Sequence, residues 1–368
     1  MDSLGTERER ELLAAARGGD ESAYRALVEP YHGELHAHCY RMLGSVHDAE
    51  DALQEALLRA WRGMARFEGR SSVRSWLYKI ATNTCLDSIG RSKRVLPTEF
   101  PPADPHAGSG EPLAESTWVE PYPDEALGLE DGYAVPEARY ERRESVELAF
   151  VAALQHLPAT QRAVLIMREV LGFSARESAE ALETTVASVN SALQRARAAV
   201  EQRLPEQSQQ ATLRQLGDER VRELVESYLE AWERQDVEAV VSMLAEDAAF
   251  AMPPLRSWFR GKEEIAIFLR GQPLSGAWRW RALRVRANGQ EALAFYSWDE
   301  EIGAYSRFAL NVLTLRGDRV AAVDAFLTRN TDDPDREVLA RLPERAFDPR
   351  RLDLAFERHG LPETLPAT

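Results

Sequence analysis

Along the first two hundred residues the apolar positions mostly recur every three or four places, and from about residue 278 they alternate. The first rhythm belongs to amphipathic helices and the second to half-buried strands. ERERELLAAARGG (7–19) predicts a helix ended by a Gly pair, and Asp20 caps a second over DESAYRALVEPYHGELHAHCYRML. HDAEDALQEALLRAW (47–61) predicts a third, RFEGRSSV a loop, and RSWLYKIATNTCLDSIGRSKR (74–94) a long helix with a basic end. ESVELAFVAALQHL and ATQRAVLIMREVLG predict two more, stopped by Pro158 and Gly172. Ser174 then opens a capping box with Glu177. A short helix (Ala175–Leu182), a tight turn (Glu183–Thr185) and a longer helix (Val186–Leu204) predict a helix-turn-helix.

The period changes after Gln210. RVRELVESYLEAWERQD and KEEIAIFLRG read as helices, with AEDAAFAMPP as a short strand between them. WRWRALRVRA, EALAFYSWD, YSRFALNVLTLRG and DRVAAVDAFLT read as strands, turned at Asn288-Gly289 and at Arg316-Gly317-Asp318. The predicted fold is multidomain: two all-α domains, then an α+β domain whose curved antiparallel sheet cups one helix. The expected boundaries are a helical domain at 7–96, a linker at 97–138 and a helix-turn-helix domain at 139–204. An α+β domain at 212–330 and a Pro-punctuated tail at 331–368, with one short helix near Pro349–His359, follow.

Composition changes this picture in few places. No apolar run approaches the roughly 20 residues that span a bilayer, and MDSLGTERERELL lacks the layout of a signal peptide, so a cytoplasmic protein with no membrane partner is expected. Cys39 and Cys85 form no CxxC pattern. The net charge of −15 disfavours nucleic acid until its distribution is followed. Residues 97–138 carry 10 acids and no base, whereas residues 59–94 carry 9 bases against Glu68 and Asp87. Within the linker, WVEPYPD (118–124) has Trp118 and Tyr122, which a plain spacer does not need; chance and a docking segment are the two readings.

Asp48, Asp51 and Glu55 make an acidic stripe on the third helix, although like charges at that spacing repel. The stripe faces either solvent or a basic partner. Loop 67–73 and helix 75–94 combine cations for phosphate with planar Trp76 and Tyr78 and with the polar Asn83, Thr84 and Ser88. Trp76 reads equally as core. In the helix-turn-helix, Ser188, Asn190, Ser191, Gln194, Arg195 and Arg197 stand between Val186, Val189, Leu193 and Ala196, which are expected to pack inward. Asn or Gln pairs bidentately with adenine and Arg with guanine. Arg176 suits a phosphate.

Two rival sites stand beside these. His32, His36 and Cys39 share a helical spacing, but no fourth ligand is evident, so no metal is expected. Asp324, in the apolar run VAAVDAFLT, invites a proton-abstraction reading, with Trp258, Trp280, Tyr296, Trp298 and Asn311 as pocket candidates. His359 is the only histidine beyond residue 156, and no acid–base pair is evident. The expectation is therefore no catalytic residue and no cofactor, with a small ligand of unknown identity or packing on the linker in that cup.

HDAEDALQEALLRAW with FEGRSSVRSWLYKIATNTCLDSIGRSKR, followed by LPATQRAVLIMREVLGFSARESAEALETTVASVNSALQRARAAV, resembles a bacterial sigma factor of the extracytoplasmic-function class. The last domain looks like the SnoaL-like fold of polyketide cyclases and of a sub-group of these sigma factors, and WVEPYPD looks like that sub-group's linker motif. The resemblance implies that Asp48, Asp51, Gln54 and Glu55 dock on a basic coiled coil of the largest subunit of core RNA polymerase, and that LPATQRAVLIMREVL meets the polymerase flap. It implies promoter DNA as the other partner. Arg70 and Ser72 then lie in the loop that captures an extruded base, Lys79 and Arg91 beside phosphates, and Asn83 and Asp87 where neighbouring bases are read. The function implied is promoter-specific initiation, regulated in cis by the last domain through intramolecular contact with the linker and helical modules. An enzyme or ligand sensor of SnoaL-like fold fused to a DNA-binding repressor is the alternative.

Overall fold

The computed structural model describes residues 3–89, 94–106, 118–127, 143–327 and 355–367. They fall into two compact units. The first contains residues 3–89, 126–127 and 153–203; the second contains 94–106, 118–125, 143–152, 204–327 and 355–367.

The first unit is helical. It begins with α1 (Ser3–Arg17), α2 (Glu21–Val28), α3 (His32–Leu43), α4 (Val46–Met64) and α5 (Val73–Ser88). The segment expected as one helix over 20–43 is two, because Pro30 sits in a 3-10 turn (Glu29–Tyr31) and lacks the N–H that an α-helix interior requires. α5 ends at Ser88, short of the basic residues expected on it; Arg91 and Lys93 lie outside the described residues. α3, α4 and α5 pack through Leu35, Met42, Leu53, Ala60, Leu77 and Ala81. In that core His38 shares a 2.9 Å hydrogen bond with Thr82 Oγ1, and burial pulls its pKa down to about 3. Cys39 is buried there too, a free thiol like Cys85, while His32 on the same helix is exposed, so the His32, His36, Cys39 spacing does not converge.

The same unit holds α7 (Ala159–Leu165), α8 (Ala175–Ala181) and α9 (Val186–Glu201), preceded by α6 (Leu148–Gln155), at whose C-terminal end the unit resumes. α7 continues into a π-helical turn over Ile166–Val170 before Gly172 ends the run with φ 71°. The capping box of Ser174 and Glu177 is formed, and Glu183 takes φ 52° in the turn between α8 and α9.

The second unit is built on a seven-stranded sheet of β1 (Leu244–Ala251), β2 (Trp258–Arg260), β3 (Trp280–Ala287), β4 (Gln290–Asp299), β5 (Ala304–Arg316), β6 (Arg319–Leu327) and β7 (Thr364–Leu365). The order is β2-β1-β6-β5-β4-β3, with β7 on β5; only β1 and β6 run parallel. Its helices are α10 (Gln209–Leu216), α11 (Asp218–Glu233), α12 (Val237–Ser242) and α13 (Lys262–Gly271). Tyr228 and Trp232 of α11 and Phe268 of α13 pack with Phe250, Phe295, Leu313 and Val323 of the sheet. The β3–β4 turn is Asn288-Gly289 with φ 56° and 69°, the conformation that favours Asn-Gly in two-residue hairpins.

Residues expected to be a spacer are part of this unit. Trp118 and Tyr122 are buried, Val119 N–H donates to Val95 O at 3.1 Å, and Arg94 donates to Trp118 O at 2.9 Å. Asn288 clamps the segment: it accepts from Tyr122 N–H at 2.9 Å, donates its own N–H to Tyr122 O at 2.8 Å, and donates Nδ2–H to Val146 O at 2.8 Å. Two acids of the linker have partners here, Asp124 with Arg286 (3.3 Å) and Glu120 with Arg94 (3.9 Å). Arg94 itself, counted in that patch, is only 7% exposed.

Candidate polymerase and promoter interfaces

Ser45 caps α4 by accepting from Asp48 N–H at 3.1 Å, and Ala49, Ala52, Leu53, Ala56 and Ala60 bury one face. The opposite face carries Asp51, Gln54 and Glu55 outward, with Asp48 half-buried at its start. The helix is held from behind where Tyr24 donates to Leu57 O at 2.6 Å and its ring meets Trp61 at 5.1 Å. Glu55 is not free: Arg59 bridges it (2.8 Å) to Asp87 of α5 (2.8 Å). That triad joins one expected docking acid to one expected base reader.

On α5 the expected roles divide. Ser72 is spent as the N-cap, accepting from Ser75 N–H at 3.0 Å. Trp76 is half-buried and packs on Phe67 (4.8 Å), and Tyr78 is fully buried, so neither ring stands ready to stack on a base. Thr84 and Ser88 return their hydroxyls to the backbone one turn earlier, at Ile80 O and Thr84 O. Arg70 is exposed and paired with Glu68 at 3.1 Å. Asn83 is half-buried. Lys79 reaches the helix-turn-helix, 3.3 Å from Glu183 and 3.4 Å from Glu180 O.

Thr185 caps α9, accepting from Ser188 N–H at 3.1 Å. Val189, Leu193 and Ala196 are buried, and Asn190, Ser191, Gln194, Arg195 and Arg197 project from the other side. Arg197 pairs with Glu169 (2.6 Å), and Arg176 with Glu180 (2.9 Å). Val186, expected inside, is 43% exposed, because the first helical residue precedes the turn that the core covers.

The pocket expected in the sheet unit is not assembled. Trp280 and Asn311 line an aromatic cavity with Trp232, Phe250, Phe268 and Phe295, but its volume is about 20 Å³, room for about one water molecule. Strand alternation turns Asp324, paired across from Val312 and Ala251, away from the face of Asn311 and Ala325 that lines this cavity. Tyr296 donates to Pro362 O at 2.9 Å, Trp298 packs on Tyr305 (5.1 Å), and Trp258 donates to Phe100 O at 2.8 Å. Burial lifts Asp324 to about 7, without bringing it to a cavity.

Three family models match the chain: Sigma-70 region 2 over residues 27–95, Sigma-70 region 4 over 147–200, and the SnoaL-like domain over 225–329. It is 43% identical over 320 residues to the ECF RNA polymerase sigma factor SigG of Mycobacterium tuberculosis, spanning 85% of this chain and 83% of that one. The chain belongs to the extracytoplasmic-function sigma factors. This sigma factor is also 34% identical over 188 residues to SigM of the same organism, covering 51% of this chain and 80% of that one. Its fold matches the crystal structure of M. tuberculosis extracytoplasmic function sigma factor SigJ, with a TM-score of 0.51 at 22% identity over 86% of this chain and 99% of that one. Its relatives make it a regulator of transcription; the SnoaL-like family is one that includes enzymes. Among the described residues no helix is long and apolar enough to cross a membrane.

Sequence reasoning missed two groups in this sigma factor. Leu58 is 50% exposed on the same side as Gln54 and Glu55, an apolar side chain amid the acids that the reading of the stripe by its charges left out. Arg162 is buried and ties region 4 to region 2: it donates to Met42 O, to Gln155 Oε1 (2.6 Å) and to Leu157 O (3.3 Å), while Gln155 donates to Arg41 O at 3.2 Å. Burial lowers its pKa to about 10, so it stays charged at neutral pH. A lone arginine in ATQRAVLIM gives no such signal, since the partner that ties it to region 2, Met42 O, lies 120 residues away.

Proposed function

We propose that this sigma factor uses the exposed face of α4 to dock on core RNA polymerase and α9 to read the upstream promoter element, acting in the cytoplasm. Asp48, Asp51, Gln54 and Glu55 meet a basic surface of the largest subunit, and Leu58 supplies the apolar contact that charge alone lacks. The single observation that carries this reading is the outward projection of Asp51, Gln54, Glu55 and Leu58 from one face of a helix whose other face is buried. Complementary charge sets the register and rate of such a contact. The expected result is that Asp51→Lys with Glu55→Lys weakens capture of core polymerase by about 2–5 kcal/mol, the range for a desolvated charge contact, with the fold intact by circular dichroism. Undiminished capture would sink the assignment of this face of α4.

In α9, Asn190 and Arg195 are exposed, on a helix held by Val189, Leu193 and Ala196. Either residue changed to Ala should cost about 1–3 kcal/mol at the preferred promoter and relax base preference at one position. Competition binding with single-base promoter variants checks this; a uniform loss on every sequence would make the residue a phosphate contact instead. Asn83, Arg70 and Lys79 serve the downstream element, and the flap contact belongs to the helix around α7. Lys79 is engaged by Glu183, and the apolar face of α7 is buried within the unit, so both contacts require regions 2 and 4 to separate first. The SnoaL-like unit regulates in cis by holding the linker through Trp118 and Tyr122.

A further inference from the structure

The sheet unit has a second and far larger opening than its aromatic cavity. It is a cleft of about 910 Å³ at the start of α11, against the C-terminal half of β3 and beside Arg143 and Gln210. That volume lies within the ordinary range of small-ligand sites. Five arginines line it: Arg143, Arg214, Arg222, Arg284 and Arg286. Asp218, Glu219 and Glu291 share its walls, which leaves an excess of two positive charges in a chain of net charge −15. Asp124, bonded to Arg286 from outside the lining, answers one of them.

The cationic wall is built rather than incidental. Glu291 is 2% exposed and accepts from Arg284 Nε at 2.8 Å and from Arg286 Nη1 at 2.9 Å, which fixes both guanidinium groups. Arg143 Nε is buried and has no hydrogen-bond partner among the described residues. Gly217 precedes α11 without a side-chain cap, so the helix presents its own N–H groups and positive dipole end to the cleft. Leu213 and Val221 are apolar, and among the described residues no aromatic ring lines the space for a nucleobase to stack on.

We propose that this cleft binds a phosphorylated sugar or polyol, with the phosphate on the arginines and the hydroxyls on the Asp218 and Glu219 carboxylates. Planar guanidinium forks match phosphate oxygens in pairs. A phosphomonoester carries about −1.5 to −2 charges at neutral pH, opposite in sign to the net charge of the walls. Carboxylates repel a second anion but accept hydrogen bonds from neutral hydroxyls, so the mixed lining selects a molecule with both ends. The occupant would touch Arg143 and Gln210 at once, and these lie just before and just after region 4.

The assignment is independent of the polymerase and promoter contacts, because it is read on the free full-length chain. Isothermal titration with glucose 6-phosphate, glucose and inorganic phosphate is the test. Glucose 6-phosphate should bind and raise the unfolding midpoint, inorganic phosphate should bind at least tenfold more weakly, and glucose should not bind. Arg143→Gln should weaken glucose 6-phosphate by about tenfold or more, the scale of one lost charge-assisted pair of hydrogen bonds; Arg222→Gln, at an exposed position, gives the same readout if Arg143→Gln fails to fold. Arg195→Ala with Arg197→Ala should change nothing. Absence of glucose 6-phosphate binding by the folded chain, equal affinity for inorganic phosphate, or loss of binding only in the helix-turn-helix variant would each overturn the proposal.

Discussion

Asn288→Ala should release the linker segment from the sheet and expose residues 118–127 to proteolysis in the otherwise folded chain. Asn288 is fully buried, and its hydrogen bonds include three of 2.8–2.9 Å, to Tyr122 twice and to Val146 once. Alanine keeps its own N–H bond to Tyr122 O but strands Tyr122 N–H and Val146 O, each left unsatisfied at about 1–3 kcal/mol. It also holds φ 56°, which costs an ordinary L-residue about 1 kcal/mol more. Asn288→Gly removes the side-chain bonds without that strain, so the two variants separate the terms. Limited proteolysis with mass mapping reads the release, and run-off transcription reads its consequence. Severalfold altered promoter output in both variants is expected if the docked linker regulates the sigma factor. Protection equal to wild type would mean that Trp118 and Tyr122 hold the segment by packing alone.

Asp324→Asn should flatten the dependence of stability on pH. Burial raises the Asp324 carboxyl from 3.8 to about 7, and Glu147 is raised the same way to about 7 although it accepts from Gln210 N–H at 2.8 Å. The folded chain therefore holds protons that the unfolded chain releases between about pH 4 and 7. The sign follows: stability declines as pH rises through that window, and the penalty is complete above the folded-state value. For Asp324 the full penalty is up to about 4 kcal/mol. Asparagine has no proton to lose, so the variant should unfold at a higher temperature than wild type at pH 8 and at nearly the same temperature at pH 5. Differential scanning calorimetry across that range checks both ends. A variant no more stable at pH 8 would show that the carboxylate is solvated, and unchanged transcription at pH 7 would remove Asp324 from any catalytic role.

The acidic helical stripe, the helix-turn-helix and the strands of the last domain were legible because each is written in local spacing. Asp51, Gln54 and Glu55 share a face by the geometry of 3.6 residues per turn, and Ser174 with Glu177 closes a cap within one turn. Asn288-Gly289 announced its hairpin because few other pairs accept two positive φ angles. Pro30 was equally visible, but its helix break depends on an N–H that the periodic pattern does not count. What only the tertiary structure decided was pairing at long range. Arg162 finds Met42 O, Tyr122 finds Asn288 and Arg94 finds Trp118 O because packing closes loops whose partners carry no mutual signature in sequence. The expected pocket failed for the same reason. Asp324 and Asn311 are both pocket-like in composition, yet strand register places them on opposite faces of one sheet, and a shift of one residue reverses every such assignment.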